Sequence, residues 1–262
     1  MTPAFLRAVD GVIVATPPAS HAALAQRCLR QTNVLVEKPV ACSVKEAQRL
    51  QRAARRYRRV LMVGHVFRFH PVVQRLKRLV RQHRQSLRLL EATFINPGPP
   101  DQGVGALRTF MHPFDIFDEL LGVSPRSVWA LASYRLRQDP SCEDAACAVL
   151  TYPHGLGGWV DVGWSGAGKR RTVTLSFLQM RVAADLLTGR ICIERRRGLR
   201  RVLRVPPSQP LRQELECFVR AIRRVSSPYP DGRVGCRITA IVEGARQSAR
   251  THRVVRYRQI PA

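Results

Sequence analysis

The stretch Val34-Leu35-Val36-Glu37-Lys38-Pro39 decides the fold, because it joins an uninterrupted apolar run to a charged pair. Consecutive branched apolar residues are typical of a central parallel strand, which is buried on both faces. Glu37 and Lys38 then stand at the carboxyl end of that strand, where open α/β sheets bind their ligands. A solvated ion pair at a strand end is the simpler interpretation. The neighbouring segments favour ligand binding.

Two further apolar runs flank this strand along the chain. Strands are predicted at about 11–15, 33–37 and 59–64, with a helix in each gap. This alternation predicts parallel pairing with right-handed crossovers. The first 70 or so residues are therefore expected to form half of a doubly wound domain.

Capping signals mark the helices between the strands. Ser20 is predicted to cap a helix over residues 22–30. Ser43 and Glu46 fit the capping box that opens a helix reaching residue 57.

Short motifs continue in a fixed order along nearly the whole chain. They are ATPPASH at 15–21, VLVEKP at 34–39, VGHVFRFHP at 63–71, MHPFDIFDELLG at 111–122, PLRQELECFVRAI at 210–222 and DGRVGCRITAIVEGARQSAR at 231–250. Together these motifs resemble those of the glucose–fructose oxidoreductase and inositol dehydrogenase (Gfo/Idh/MocA) family.

The resemblance implies a fold in two parts. Residues 1–70 would form the C-terminal half of a dinucleotide-binding domain, a partial Rossmann-type parallel sheet. Residues 71–262 would form a substrate and oligomerisation domain, an open, mostly antiparallel sheet with flanking helices. The implied reaction is hydride transfer between NAD or NADP and a hydroxyl of a sugar, sugar derivative or cyclitol. A homo-oligomer built through the C-terminal sheet is implied as well.

The resemblance also implies roles for individual residues. Lys38 would polarise the substrate oxygen, and His112 would exchange the proton, since histidine titrates near neutral pH. A metal site is not expected, because the pair of His112 and Asp115 has no third ligand in pattern. The implied cofactor-binding residues are Thr16, Pro17, His21, Glu37 and Lys38, and the implied substrate-binding residues are Arg68 and Asp115.

Two features depart from the family pattern. No G-x-G-x-x-G occurs, and Met1 falls shortly before the first strand, so about 60 residues of two βα units are expected to be missing through a misplaced start or a truncation. The family usually has an aspartate four residues before the histidine, and Arg108 stands there. These departures leave open a non-catalytic sugar-binding or oligomer-partner protein that retains the fold.

The net charge of +26 raises the alternative of nucleic-acid binding. However, the arginines are dispersed along the chain instead of being gathered on one face, only four residues are lysine, and few aromatic residues are placed for base stacking. No specific nucleic-acid partner is expected.

Location is predicted from the cysteines and from hydropathy. The seven cysteines are odd in number, scattered and without a C-x-x-C pair, which is typical of reduced structural thiols. No apolar run reaches 18 residues, and no signal-peptide pattern begins the chain. A cytoplasmic protein without a membrane partner is expected.

Residues 163–170 fit the start of a phosphate-binding loop, G-x-x-x-x-G-K. Arg170 replaces the Ser or Thr that would bind Mg²⁺, and an alternating strand follows instead of a helix. A hairpin turn is therefore predicted there.

Overall fold

The apolar strands at the start of the chain form a parallel sheet in the order β1–β2–β3, as predicted. The computed structural model describes residues 2–98, 104–136, 142–164, 168–196 and 198–257. The strands are β1 (Gly11–Val14), β2 (Asn33–Glu37) and β3 (Leu61–Gly64).

A short helix, α1 (Pro3–Arg7), precedes the sheet, and two longer helices connect its strands. Helix α3 (Val44–Arg56) begins with the predicted capping box of Ser43 and Glu46. Helix α2 (Pro18–Leu29) begins earlier than predicted, and the assignment of its cap was wrong.

The start of α2 is set by proline. Pro17 occupies the N-cap position, and Pro18 takes the first helical position, where a missing N–H removes no hydrogen bond. Ser20 lies inside the first turn, and its hydroxyl donates to the carbonyl oxygen of Pro17 at 2.8 Å. Ser20 therefore does not cap the helix.

Residues 209–243 return to the first compact unit, which also contains residues up to Phe69. They include α7 (Pro210–Ile222) and the first part of α8 (Gly232–Thr251). Helix α7 packs on one face of the parallel sheet, where Leu35 and Met62 meet its Phe218. The other face, with Val34 and other buried residues, packs on α2 and α3. Helices on both faces explain why these strands are apolar throughout.

The second unit, residues 70–208 and 244–258, is built on a mixed sheet. Among the described residues this sheet has nine strands in the order β11–β10–β9–β8–β4–β7–β6–β5–β12. Every neighbouring pair is antiparallel except β4 with β7. The mostly antiparallel sheet predicted from sequence is confirmed. The strands are β4 (Leu87–Asn96), β5 (Ser127–Ser133), β6 (Ala145–Thr151), β7 (Gly157–Trp164), β8 (Arg170–Phe177), β9 (Met180–Asp185), β10 (Arg190–Arg195), β11 (Arg200–Arg204) and β12 (Val255–Arg256).

The helices of the second unit are α4 (Pro71–Gln82), α5 (Ala106–Thr109) and α6 (His112–Leu121). Short 3₁₀ turns occupy Val66–Phe69 in the first unit, and Arg84–Ser86 and Pro153–Gly155 in the second. Phe94 of β4 and Phe114 and Phe117 of α6 are among the largest fully buried side chains. Within the described part of the chain, no helix is both long and apolar enough to cross a bilayer.

The hairpin predicted over residues 163–170 is wrong. Strands β7 and β8 both pair with β4 and lie on opposite sides of it. They are therefore not neighbours in the sheet, and residues 165–167 between them lie outside the described part of the chain. An alternating pattern identifies a strand but not its neighbour in the sheet.

Gly163 is expected to be intolerant of a side chain. A Cβ there would lie 2.6 Å from Cβ and 2.8 Å from Cα of Ala145, its partner across β6 and β7. Because backbone atoms are hit, Gly163→Ala should lower the free energy of unfolding by about 1–3 kcal/mol in urea denaturation. Gly168→Ala is the matched control, since a Cβ there meets nothing within 4 Å. Equal stability of the two variants would contradict the prediction.

Candidate active site

The carboxyl ends of the three parallel strands bring the predicted cofactor residues to one edge of the sheet. Thr16 and Pro17 follow β1 closely, and Glu37 ends β2. The register places Glu37 opposite Gly64, the last residue of β3. This edge is where a parallel sheet binds its ligand.

Gly64 makes room for the carboxyl group of Glu37. A Cβ on Gly64 would lie 3.1 Å from Cδ and 3.2 Å from Oε1 of Glu37. The other carboxylate oxygen of Glu37 accepts a hydrogen bond from the backbone N–H of Lys38 at 3.1 Å. The carboxylate is therefore held against the strand end.

His21 is buried and ties two loops of this edge together. Its Nδ1 lies 2.7 Å from the carbonyl oxygen of Pro39, and its Nε2 lies 2.6 Å from that of Thr16. Both contacts are therefore made to backbone carbonyl groups. The structure thus shows His21 bonded to protein backbone on both sides of its ring.

Lys38 sits between these two anchors. Its backbone N–H binds the Glu37 carboxylate, and the next residue, buried Pro39, is held by His21. Its side chain is half-buried. The position of Lys38 at the strand end is therefore fixed by its neighbours on both sides.

Arg68 is 3% exposed and contacts Tyr229 within the first unit. Its Nη1 donates to the phenolic oxygen at 3.0 Å, and its guanidinium carbon lies 5.5 Å from the ring centroid. The predicted substrate-binding arginine is thus stacked on an aromatic ring.

In the second unit, His112 begins α6, and Asp115 lies one turn later with no exposure. The ring of His112 is half-buried and lies 6.1 Å from the ring of Phe94, at 39°. Phe94 is close to the carboxyl end of β4. His112 therefore stands beside the end of a central strand of this sheet.

Arg171 is a neighbour of this group that the sequence reasoning missed. Its guanidinium carbon lies 5.0 Å from the ring centroid of Phe94 and 5.3 Å from that of Phe110. It donates from Nη1 to the carbonyl oxygen of Ile95 and from Nη2 to the side-chain oxygen of Asn96, at 2.8 and 2.6 Å. The sequence did mark this residue, because Arg171 stands in β8 at a position of the alternating pattern that is otherwise apolar and buried.

Glu143 was also missed, and it positions α5, the helix that carries Arg108. The backbone carbonyl of Glu143 accepts from the N–H of Ala106 at 2.8 Å, and its Oε1 accepts from that of Leu107 at 3.1 Å. Its carboxylate is 2% exposed and faces Nε of Arg246 at 3.4 Å. No sequence motif pairs these distant segments.

The donor set at the strand edge fits the nicotinamide–ribose end of a dinucleotide. The ammonium of Lys38 and the carboxylate of Glu37 are suitable partners for ribose hydroxyls, and Gly64 adds no side chain. A glycine turn for the pyrophosphate is absent from the sequence.

Comparison with known proteins agrees with this geometry. Residues 3–65 match the family model described as oxidoreductase family, NAD-binding Rossmann fold (GFO_IDH_MocA). UDP-N-acetylglucosamine 3-dehydrogenase from Acidithiobacillus ferrooxidans is 26% identical over 250 residues, covering 90% of this chain and 78% of that protein. A solved structure of that enzyme superposes with a TM-score of 0.85 at 25% identity, over 95% of this chain and 81% of the other.

The match over residues 3–65 and the similarity to this dehydrogenase support assignment of the chain to the Gfo/Idh/MocA oxidoreductase family. The inositol dehydrogenase homologue from Azotobacter vinelandii, solved with NADH and myo-inositol, shares the fold of this oxidoreductase. Its TM-score is 0.86 at 18% identity, over 95% of this chain and 78% of the other. The family supports a nicotinamide cofactor for this oxidoreductase.

In this oxidoreductase we expect Arg171→Met to destabilise the second unit. The change removes donors from buried acceptors and a cation stacked on two rings, so the free energy of unfolding should fall by about 2–4 kcal/mol. Urea denaturation measures this. The exposed neighbour Arg170→Met should change it by less than about 0.5 kcal/mol. If both variants change the free energy of unfolding by the same small amount, the buried contacts of Arg171 do not stabilise the second unit.

Proposed function

We propose that this protein transfers hydride between NAD or NADP and a hydroxyl of a sugar, sugar derivative or cyclitol. The observation that carries the proposal is the Glu37–Lys38–Pro39 segment, which ends a central parallel strand and is anchored on both sides. It lies within the region that matches the NAD-binding family model. A lysine fixed at this edge can donate a hydrogen bond to a substrate oxygen.

Lys38 and His112 are the proposed catalytic residues. Lys38 polarises the hydroxyl or carbonyl oxygen of the substrate, and His112 exchanges the proton. Bound nicotinamide supplies the hydride acceptor or donor. Arg68 and Asp115 are the proposed substrate-side residues, and Thr16, Pro17, His21 and Glu37 the proposed cofactor-side residues. Because Arg68, Asp115 and His21 are buried, their proposed role is to position the groups around them.

The relatives suggest which substrates to test first. The Acidithiobacillus enzyme is named for UDP-N-acetylglucosamine, and the Azotobacter homologue was solved with myo-inositol. Each should be offered to the purified 262-residue chain with NAD and with NADP, while absorbance at the nicotinamide band is followed. Turnover of either substrate above a protein-free control supports the proposal, and no turnover with both cofactors at millimolar concentration counts against it.

Cofactor affinity is expected to be low in this chain. The glycine turn would contribute charge-assisted hydrogen bonds of about 1.5–3 kcal/mol each, and the sequence does not contain it. Calorimetric titration with NADH and NADPH should therefore give dissociation constants well above micromolar. Micromolar binding would mean that other residues hold the pyrophosphate.

A non-catalytic sugar-binding protein, or an oligomer partner, is the second candidate. Arg108 in place of the family's aspartate favours it, because a carboxylate is replaced by a cation just before His112. Sugar binding by calorimetry without turnover would support this candidate.

An oligomer is proposed to form through the open sheet of the second unit. Trp129, Val149 and Trp159 lie side by side across β5, β6 and β7, and Trp159 is 44% exposed. Half-exposed aromatic side chains in one row are typical of an interface. Light scattering after size exclusion should show an assembly that Trp159→Glu dissociates.

We also propose a cytoplasmic location. All seven cysteines are free thiols, and buried Cys236 has its pKa raised to about 11 by burial and by the negative charge of Asp231. Such thiols suit a reducing compartment.

A further inference from the structure

The second unit contains a cavity of about 520 Å³ that is separate from the group around His112. Its lining includes Leu87, the first residue of β4, and Leu121, the last residue of α6. His112 begins α6 and contacts Phe94, seven residues after Leu87 and so about 23 Å along the strand. The cavity therefore lies at the opposite end of both elements.

The floor of this cavity is apolar and buried. Leu87, Leu121 and Tyr152 are 4%, 3% and 4% exposed, and Val123 and Leu156 complete the apolar wall. Burial and the nearby charge of Asp118 raise the pKa of Tyr152, so its phenol stays neutral. A planar or aliphatic group of suitable size is the chemistry that such a floor accepts.

The mouth of the cavity is basic. Arg84, Arg88 and His154 line it, and none of its described lining residues is acidic. Nη1 of Arg88 donates to the carbonyl oxygens of Gln85 and Leu87, at 2.8 and 3.0 Å, which holds the guanidinium in place. Within the described part of the chain, these bonds leave its Nη2 and Nε as donors for an anion.

His154 is presented by a strained turn. It adopts φ 61° and ψ 29°, a left-handed conformation that is uncommon outside glycine, and Gly155 follows with φ 73°. Positive φ at both central residues is the pattern of the hairpin turn that joins antiparallel strands such as β6 and β7. The turn brings an imidazole, rather than the more usual small side chain, to the mouth.

We infer that this cavity is a second ligand site, which takes a small anionic amphiphile: an aromatic or aliphatic group on the apolar floor and a carboxylate or sulfonate at the arginines. The volume lies within the range of small-molecule pockets, and the polar groups gather on one side only. The ligand class follows from this separation of an apolar floor from a cationic mouth.

The probe for this site is 8-anilinonaphthalene-1-sulfonate, titrated into the full chain and followed by fluorescence. Leu156→Trp and Val123→Trp fill the cavity from its wall, and each should weaken binding at least tenfold. Leu199→Trp is the matched control, because Leu199 is 67% exposed and does not line the cavity. It should bind the probe as the parent chain does.

The charge preference is tested separately with N-phenyl-1-naphthylamine, the neutral counterpart of the probe. Arg88→Gln should weaken binding of the sulfonate three- to tenfold and leave binding of the neutral probe within twofold. Arg190→Gln, at an exposed position of β10 outside the cavity, should change neither. Circular dichroism checks that each variant is folded. If a tryptophan variant unfolds, the comparison of the two probes in Arg88→Gln still tests the inference. The inference is overturned if the cavity-filling variants bind the sulfonate probe as tightly as Leu199→Trp does. It is also overturned if Arg88→Gln weakens binding of both probes equally.

Discussion

Replacing Lys38 by methionine is expected to lower kcat/KM for the sugar substrate by about 10²- to 10⁴-fold. Methionine keeps the length and apolar stem of the side chain and removes the ammonium that is proposed to polarise the substrate oxygen. The backbone anchors at Glu37 and Pro39 remain, so the strand end should keep its shape. Initial rates at subsaturating substrate measure the loss directly.

Lys45→Met is the matched control for this experiment. Lys45 is exposed on α3 in the same unit, and its replacement should leave kcat/KM within a factor of about two. His112→Gln should give a loss similar to that of Lys38→Met, because it removes the group that is proposed to exchange the proton. A Lys38→Met rate within threefold of the parent would remove Lys38 from the mechanism.

Replacing Lys77 by methionine is expected to lower the free energy of unfolding by about 3–5 kcal/mol. Nζ of Lys77 on α4 lies 2.5 Å from Oε1 of Glu119 on α6, and the Glu119 side chain is 1% exposed. Gln74 donates to the same oxygen at 3.3 Å. The variant therefore removes the cation that pairs with this buried carboxylate.

A double variant separates this electrostatic effect from lost packing. Lys77→Met with Glu119→Met removes both charges and should recover most of the stability, since apolar pairs of similar volume replace buried ion pairs without loss. Lys169→Met, at an exposed position of the same unit, should change stability by less than about 0.5 kcal/mol. Urea denaturation of all three variants provides the comparison. A loss in the double variant equal to that in Lys77→Met would show that packing, not charge, is responsible.

Local signals were sufficient wherever a feature depends on neighbouring residues. The capping box of Ser43 and Glu46 was predicted because both hydrogen bonds join residues three positions apart. The start of α2 was predicted wrongly, since Pro18 can begin a helix while Ser20 can also cap one. Two local signals competed there, and only the backbone geometry distinguished them.

Residues that depend on distant segments were not predictable in the same way. Arg171 reaches the end of β4, 75 residues away, through Asn96. Glu143 supports α5 from 36 residues away through Leu107. An arginine at a position of a strand that is otherwise apolar is unusual, but the sequence does not show which hydrogen-bond acceptors it will contact.

The sequence by itself determined the parallel strands, the placement of Lys38 at a strand end and the position of His112 at a helix start. These features follow from apolar runs, caps and motifs, which act over a few residues. Only the tertiary structure decided that α7 covers the parallel sheet, that β7 and β8 flank β4, and that Arg171 joins the aromatic group beside His112. The physical reason is that strand partners and buried ion pairs are selected by the packing of the whole sheet, where many apolar patterns are locally equivalent.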